Sequence, residues 1–326
     1  MLRLTPNDYA AKINSAKTFG VHFAGSESNI ASSLAYLGNK TQFVTKLPKN
    51  QLGDAAINSL RFYGINTNNI LRGGNRIGTY FIEIGSSIRP SSVIYDRENS
   101  AIASINSNEF DWEKILVGQK YLFISGITPA LSKHCAEEVI SLARIARKLN
   151  VKVSFDMNYR RTLWSDVSNA KKIFDAVIEN TDILFGNMGV LKDVYGMTGD
   201  GSNSIDKTVD IIAKAKQKFG LQELAFTVRD HYSANENALS GIYLGANEPI
   251  VSYTYKVQIL DRFGTGDAFA AGCLHGLNKG WDKKKVIGFA TAAFALKHTI
   301  KGDQHTSNEE EINSIRNGNI TGHVLR

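Results

Sequence analysis

The sequence predicts an α/β protein: a central, mostly parallel sheet flanked by helices on both faces, with a small β-strand lid. Two observations carry this. From about Ser125 onward, short apolar β-rich runs alternate with longer amphipathic stretches, the pattern of strand–helix–strand units. Upstream, residues 78–84 and 92–97 show two-residue alternation on either side of the turn-rich Gly85-Ser86-Ser87, as in an antiparallel pair that projects from the main sheet. The 326 residues, 43% of them hydrophobic, are enough to bury the large core that such a fold needs.

Taken in order, residues 27–38 have helical spacing, follow Gly25 and end on Gly38, which suits a C-cap. The start of that helix is a candidate site for polar ligand groups. In the hairpin, Tyr80 and Ile82 share one face of the first strand, and Val93, Tyr95 and Arg97 one face of the second. Tyrosine and arginine together suit a polar lid over a ligand, and equally an exposed amphipathic hairpin. Residues 99–108 and 198–206 are polar enough to be loops. Residues 121–125, 151–155, 183–185 and 224–228 read as strands, and the chain closes with two helical segments, 266–279 and 282–298. Both are rich in Ala and Gly, which lets helices pack closely on each other or on a flat ring such as adenine.

The net charge of +7 comes from scattered Lys and Arg interleaved with acids, which favours small anionic substrates or plain solubility over a nucleic-acid groove. Cys135 and Cys273 have no CxxC spacing and lie in apolar helical surroundings, as inert thiols in a reducing cytoplasm would. There is no run of eighteen apolar residues and no signal-like start, so a soluble cytoplasmic protein without membrane or nucleic-acid partners is expected.

The chemistry concentrates at Asp261-Arg262-Phe263-Gly264-Thr265-Gly266-Asp267-Ala268-Phe269. Two glycines open a helix, whose free N–H groups and dipole suit an anion, and a carboxylate stands on its first turn. An acid beside an anion site makes sense if it takes a proton while the amides hold negative charge. Read alone, the run also suits a plain helix cap. Such an Asp should be ionised at neutral pH, because dipole and amides favour the charge. No GxxxxGK[ST], no third dinucleotide glycine and no HExxH is present. A second cluster, Asp156-Met157-Asn158-Tyr159-Arg160-Arg161, follows a strand and should lie in the same crevice. Arg160 there would pair with a carboxylate or phosphate, or form a surface ion pair with Asp166 or another acid.

The D-x-x-G-x-G-D-A-F run resembles the carboxy-terminal signature of the ribokinase-like carbohydrate kinases of the PfkB family. Further matching stretches are Arg89 to Arg97, Ser125 to Ser132, Phe155 to Arg160 with Leu163-Trp164, Leu296-Lys297-His298 and Gly302-Asp303. The resemblance covers almost the whole chain, and these runs together point to the branch that phosphorylates 2-keto-3-deoxygluconate. The resemblance implies a single ribokinase-like domain over 1–326, with lid strands from about 1–23 and 74–98. It also implies ATP-dependent phosphorylation of the sugar acid's terminal hydroxyl, with Asp267 as general base and Gly264, Thr265 and Gly266 as the anion hole. By position, Gly25, Asn29, Tyr80, Tyr95, Arg97, Arg160 and Asp303 resemble the family's sugar-acid contacts. Asn158, Thr227, Arg229, Gly264, Thr265 and Gly266 resemble its nucleotide contacts. Mg²⁺ would bridge the ATP phosphates, and lid strands that often form a dimer contact imply a homo-oligomer.

Three departures from the pattern stand out. The chain begins at Met1, where the family carries a T-F-G-E-I-like run, so a late start codon or a shortened strand is expected. Ser26 replaces a glycine and narrows the room near Gly25. Val190 stands in the acidic position of the N-x-x-E motif, Asn187-Met188-Gly189-Val190, and cannot hold a hydrated metal, so reduced metal affinity or turnover is expected. Fructose or a 2-keto-3-deoxygalactonate-type acid remains an alternative substrate, and a catalytically weakened sugar-binding regulatory protein an alternative role.

Overall fold

The computed structural model describes residues 1–322. In its first part β1 (Leu2–Pro6), β2 (Phe19–Phe23), α1 (Ser26–Tyr36), β3 (Thr45–Leu47), α2 (Gln51–Phe62), β4 (Ile70–Arg72), β5 (Thr79–Glu83) and β6 (Ser92–Asp96) follow one another. After α3 (Trp112–Leu116) come β7 (Tyr121–Ser125), α4 (Lys133–Lys148), β8 (Lys152–Asp156), α5 (Val167–Ile178), β9 (Ile183–Asn187), α6 (Met188–Tyr195) and α7 (Ser204–Phe219). The last part holds β10 (Glu223–His231), β11 (Glu236–Leu244), β12 (Ile250–Val251), β13 (Tyr255–Gln258), α8 (Thr265–Asn278), α9 (Lys283–Lys297) and α10 (Glu309–Arg316).

Strands β7, β8, β9 and β10 run parallel in a larger sheet, as the alternating pattern predicts, and each ends within about two residues of its expected position except β10, which is longer. The other edge of this sheet is antiparallel. β11 pairs with β10 along Leu224↔Leu244 to His231↔Asn237, and β12 and β13 both pair antiparallel with β11. β11 shows no two-residue alternation because both its faces are buried. Two corrections to the sequence reading are local. Residues 204–206 open α7 rather than continuing a loop, and α10 follows the two expected C-terminal helices, started by the Asn308/Glu311 capping box.

Alternate strand residues feed opposite cores. Leu184, Leu224 and Phe226 pack with Phe174, Leu191 and Ile211 of α5, α6 and α7. Ile183, Phe185 and Ala225 pack with Ile30 of α1 and with α8 and α9. The small residues of the last helices serve close packing, since a Cβ on Gly272 of α8 would stand 2.8 Å from the Ala290 Cα of α9.

β2, β1, β5 and β6 form a separate four-stranded sheet in that order. Its register sets two opposed rows. His22, Arg3, Tyr80 and Tyr95 are mutual cross-strand partners on the face toward the larger sheet. Val21, Leu4, Phe81 and Ile94 make the corresponding row on the outer face, where Val21 and Ile94 are more than half exposed. Tyrosine and arginine of the hairpin therefore face inward rather than decorating an exposed ribbon.

Candidate active site

Parallel strands end with their carbonyl edges on one side, and the loops beyond them make a natural crevice. Here β7, β8 and β9 deliver Ser125, Asp156 and Asn187 to that edge, with Ser125 opposite Asp156. The inner face of the smaller sheet closes over it. Between them lies a cavity of about 990 Å³ whose lining includes every candidate catalytic and contact residue named above, from Gly25 to Asp303.

At its centre the chain turns sharply into α8. Gly264 has φ 71°, and a Cβ there would stand 1.9 Å from the Asp303 carbonyl oxygen, so only glycine fits. Gly266 is different: a Cβ there would meet nothing within 4 Å, so its bareness leaves open space in front of the helix start. The first N–H groups of a helix have no partner inside it, and here they border that space. A negative group could approach the backbone closely at this point.

Asp267, 9% exposed, accepts 2.7 Å hydrogen bonds from the Ser26 hydroxyl and the Asn29 amide. Burial nevertheless pushes its pKa up to about 7, the two hydrogen bonds opposing the rise and Asp156 and Asp303 adding to it. The expectation of a fully ionised Asp is thus corrected. Desolvation outweighs the helix dipole, and the carboxyl is poised to gain or lose a proton near neutrality. Asp156 is likewise raised to about 6 by burial. Asn158, with φ 33°, bonds the Ser26 hydroxyl at 3.1 Å and that of Ser125 at 3.2 Å. An Asn held in the left-handed region at a cavity wall is the kind of strain that functional sites keep.

The opposite wall is cationic and aromatic. Arg97 is 7% exposed and lies 4.3 Å over the Tyr95 ring, which is stacked on Tyr80. Its Nε and Nη2 are buried without a hydrogen-bond partner among the described residues, and burial lowers its pKa. Tyr80 donates to Asp303 at 2.7 Å, and Asp303 also pairs with Arg3, so this acid is engaged on both oxygens. Arg160 lies at the rim, exposed, and does not pair with Asp166, which instead caps α5. On the nucleotide-like side, Arg229 donates to the Thr265 hydroxyl at 2.7 Å, stacks over Phe294, and has no partner for Nε among the described residues; burial lowers its pKa to about 10. Thr227 stands two positions earlier on β10, opposite Asn187.

Val190 packs into the core at the first turn of α6, its N–H bonded to the Asn187 side chain at 3.2 Å. Among the described residues no three His, Cys, Asp or Glu side chains converge as a metal cage. Asp156 and Asp267 have no basic partner within salt-bridge distance among those residues, so two acids are available beside the cavity for a hydrated cation.

Four participants escaped the sequence reading. Ser26 bridges Asn158 and Asp267 rather than merely narrowing the site. Glu27, whose pKa is raised by burial, accepts from Thr128 and the Ser125 N–H. Arg3 and Asp261 form a buried ion pair at 2.6 Å. Arg3 carried a readable signal, since a lone arginine within Leu2-Arg3-Leu4-Thr5 can be buried only against acids.

A sequence profile described as pfkB family carbohydrate kinase matches residues 1–311. The crystal structure of a 2-dehydro-3-deoxygluconokinase from Thermotoga maritima superposes with a TM-score of 0.94 at 40% identity, covering 98% of this chain and 97% of that one. A 2-dehydro-3-deoxygalactonokinase of Haloferax volcanii is 28% identical over 99% of this chain and 96% of its own length. A 5-dehydro-2-deoxygluconokinase of Clostridium beijerinckii is 28% identical over 96% of this chain and 88% of its own. Among the described residues no helix is long and apolar enough to cross a membrane.

Proposed function

The chain belongs to the pfkB family of carbohydrate kinases, and from that premise we propose that it transfers the γ-phosphoryl of ATP to the terminal hydroxyl of 2-keto-3-deoxygluconate, also called 2-dehydro-3-deoxygluconate. One observation carries the reading. A single cavity pairs a buried acid of pKa about 7 at a helix start with a buried guanidinium on the opposite wall, two of whose nitrogens have no hydrogen-bond partner among the described residues. The guanidinium of Arg97 suits the sugar's carboxylate, with Tyr80, Tyr95, Asn29 and the Gly25 backbone around the carbon chain and Arg160 at the rim. The far hydroxyl then reaches Asp267. As its oxygen bonds to the γ-phosphorus, its proton passes to Asp267 and the bond to the ADP oxygen breaks. The amides of Gly264, Thr265 and Gly266 face the charge that develops, and Arg229, Thr227 and Asn158 border the nucleotide. Mg²⁺ would supply positive charge against the phosphates, and Asp156 and Asp267 are the side chains that would hold it, as Val190 cannot.

The substrate class is tested by comparing kcat/KM for 2-keto-3-deoxygluconate, 2-keto-3-deoxygalactonate, 5-dehydro-2-deoxygluconate and fructose. The reading expects the first to lead and fructose to trail by about a hundredfold or more, the scale of one unpaired buried charge. The galactonate epimer is the second reading, supported by the Haloferax volcanii relative. Fructose as the best substrate would overturn the acid assignment.

Ser26 offers a sharper test of the base. Its hydrogen bond favours the ionised form of Asp267, so Ser26→Ala should raise that pKa further. In wild type, kcat/KM for the sugar should climb with pH through about 7 and level off above; in Ser26→Ala the same limb should move to higher pH. An unmoved limb would remove Asp267 from the proton transfer.

The smaller sheet is then a lid over the sugar, and its outer row Val21, Leu4, Phe81 and Ile94 is suited to a second copy of the chain in a homo-oligomer. Sedimentation should show more than one chain per particle, and Val21→Glu with Ile94→Lys should bring the mass to that of one chain. A wild-type monomer at micromolar concentration would contradict this. The free, buried thiols of Cys135 and Cys273 fit a reducing cytoplasm.

A further inference from the structure

We infer that Arg3 is a positioning residue for phosphoryl transfer, a buried charge that holds the anion-binding turn and the sugar-facing sheet in fixed relation. The inference rests on the kinase reading above. Arg3 is fully buried on β1, an interior strand of the smaller sheet. Its Nη2 meets Asp261 at 2.6 Å, Nη1 meets Asp303, and Nε bonds the Thr5 hydroxyl at 2.9 Å. Its guanidinium carbon lies 5.2 Å from the Phe263 ring centroid.

The two acids are not passive counter-charges. Asp261 accepts from the Phe263 N–H and the Gly302 N–H, each at 3.0 Å, so it ties the residue before Gly264 to the loop that carries Asp303. Asp303 accepts from Tyr80, which neighbours Arg3 across the β1–β5 pair, and its carbonyl touches the space where a Gly264 Cβ would be. One guanidinium therefore fixes both ends of the reacting pair: the amides of the turn and the tyrosine wall of the sugar pocket. Lysine has no planar fork and can serve only one acid well. With alanine, two buried carboxylates face each other without a counter-charge, and the turn is free to shift.

The test uses the full chain with Arg3→Ala and Arg3→Lys. Hydrogen exchange of the amides at 263–267 should be faster in both variants, and millimolar guanidinium should slow it again in Arg3→Ala but not in wild type. In steady-state assays kcat should fall about a hundredfold in Arg3→Ala, the scale of a 1 Å misplacement, with KM for ATP nearly unchanged and kcat partly restored by guanidinium. Should Arg3→Ala fail to fold, Arg3→Lys decides alone through the same exchange and kcat readings. Unchanged exchange at 263–267, or a kcat equal to that of wild type in the folded variants, would overturn the role. A wild type with no turnover would instead count against the kinase reading, while exchange at the turn still decides the role of Arg3.

Discussion

Asp267→Asn should lower kcat by between about a hundredfold and ten-thousandfold, the range for loss of a positioned general base, while leaving sugar binding in place. Its effect on stability should run the other way. The carboxyl's pKa rises from 3.8 to about 7 on folding, chiefly through burial. Folding therefore favours the protonated form, and the stability this contributes is complete below pH 3.8 and lost as pH rises through about 7. Above that, the ionised wild type carries a penalty on the order of 4 kcal/mol, at about 1.4 kcal/mol per pKa unit. The Asp267→Asn variant carries no such charge, although its amide cannot accept from both Ser26 and Asn29 as the carboxylate does. At about pH 8, above the folded pKa, the variant should melt at or above the wild-type temperature. A residue that only caps the helix behaves differently, because asparagine caps about as well as aspartate and the exchange would leave kcat unchanged. Melting curves and kcat for this one variant separate the two roles of Asp267 that its local sequence permits.

Arg97→Met should raise KM for the sugar acid and reduce kcat/KM by about a hundredfold or more, the loss expected when one member of a buried charge pair is truncated. Activity on fructose, which has no carboxylate, should be unchanged or improved. The physical reason lies in the free protein. Two guanidinium nitrogens of Arg97 are buried without acceptors among the described residues, and an incoming anion would satisfy them. The thermal shift produced by the sugar acid should accordingly be large in wild type and small in the variant, measured without ATP. Equal shifts in both would place the carboxylate elsewhere, with Arg160 as the next residue to vary.

The part of the fold that was legible is the part whose chemistry is local. Parallel strands buried on both faces read as short apolar runs between amphipathic helices, and the paired faces of Tyr80 and Tyr95 followed from a two-residue period. β11 was not legible, because its Asn237, Ser240 and Gly241 interrupt a strand that is buried almost throughout. The capping box that begins α10 was present in the sequence as Asn308 and Glu311, and it was the polar run Glu309-Glu310-Glu311 that obscured the helix. At the site, spacing gave a glycine turn with an acid on the first turn of a helix, which suits a plain cap as well; the resemblance made Asp267 a candidate base. The raised pKa could not be read there, since it depends on burial in the folded chain, and even the hydrogen bonds that oppose it come from Ser26 and Asn29, more than two hundred residues earlier. The same is true of Arg3, whose partner Asp261 is 258 residues away. Long-range charge pairing leaves no period in a sequence; only an arginine out of place in an apolar strand hints at it.

ADP release by the purified wild-type chain, with Mg-ATP and 2-keto-3-deoxygluconate, tests the central claim most directly. Sustained, sugar-dependent turnover that rises with pH through about 7, in step with the Asp267 carboxyl, is expected. Tight sugar binding with no ADP released above the ATP-only rate would contradict it, and would leave a sugar-binding protein in which Val190 marks the loss of catalysis.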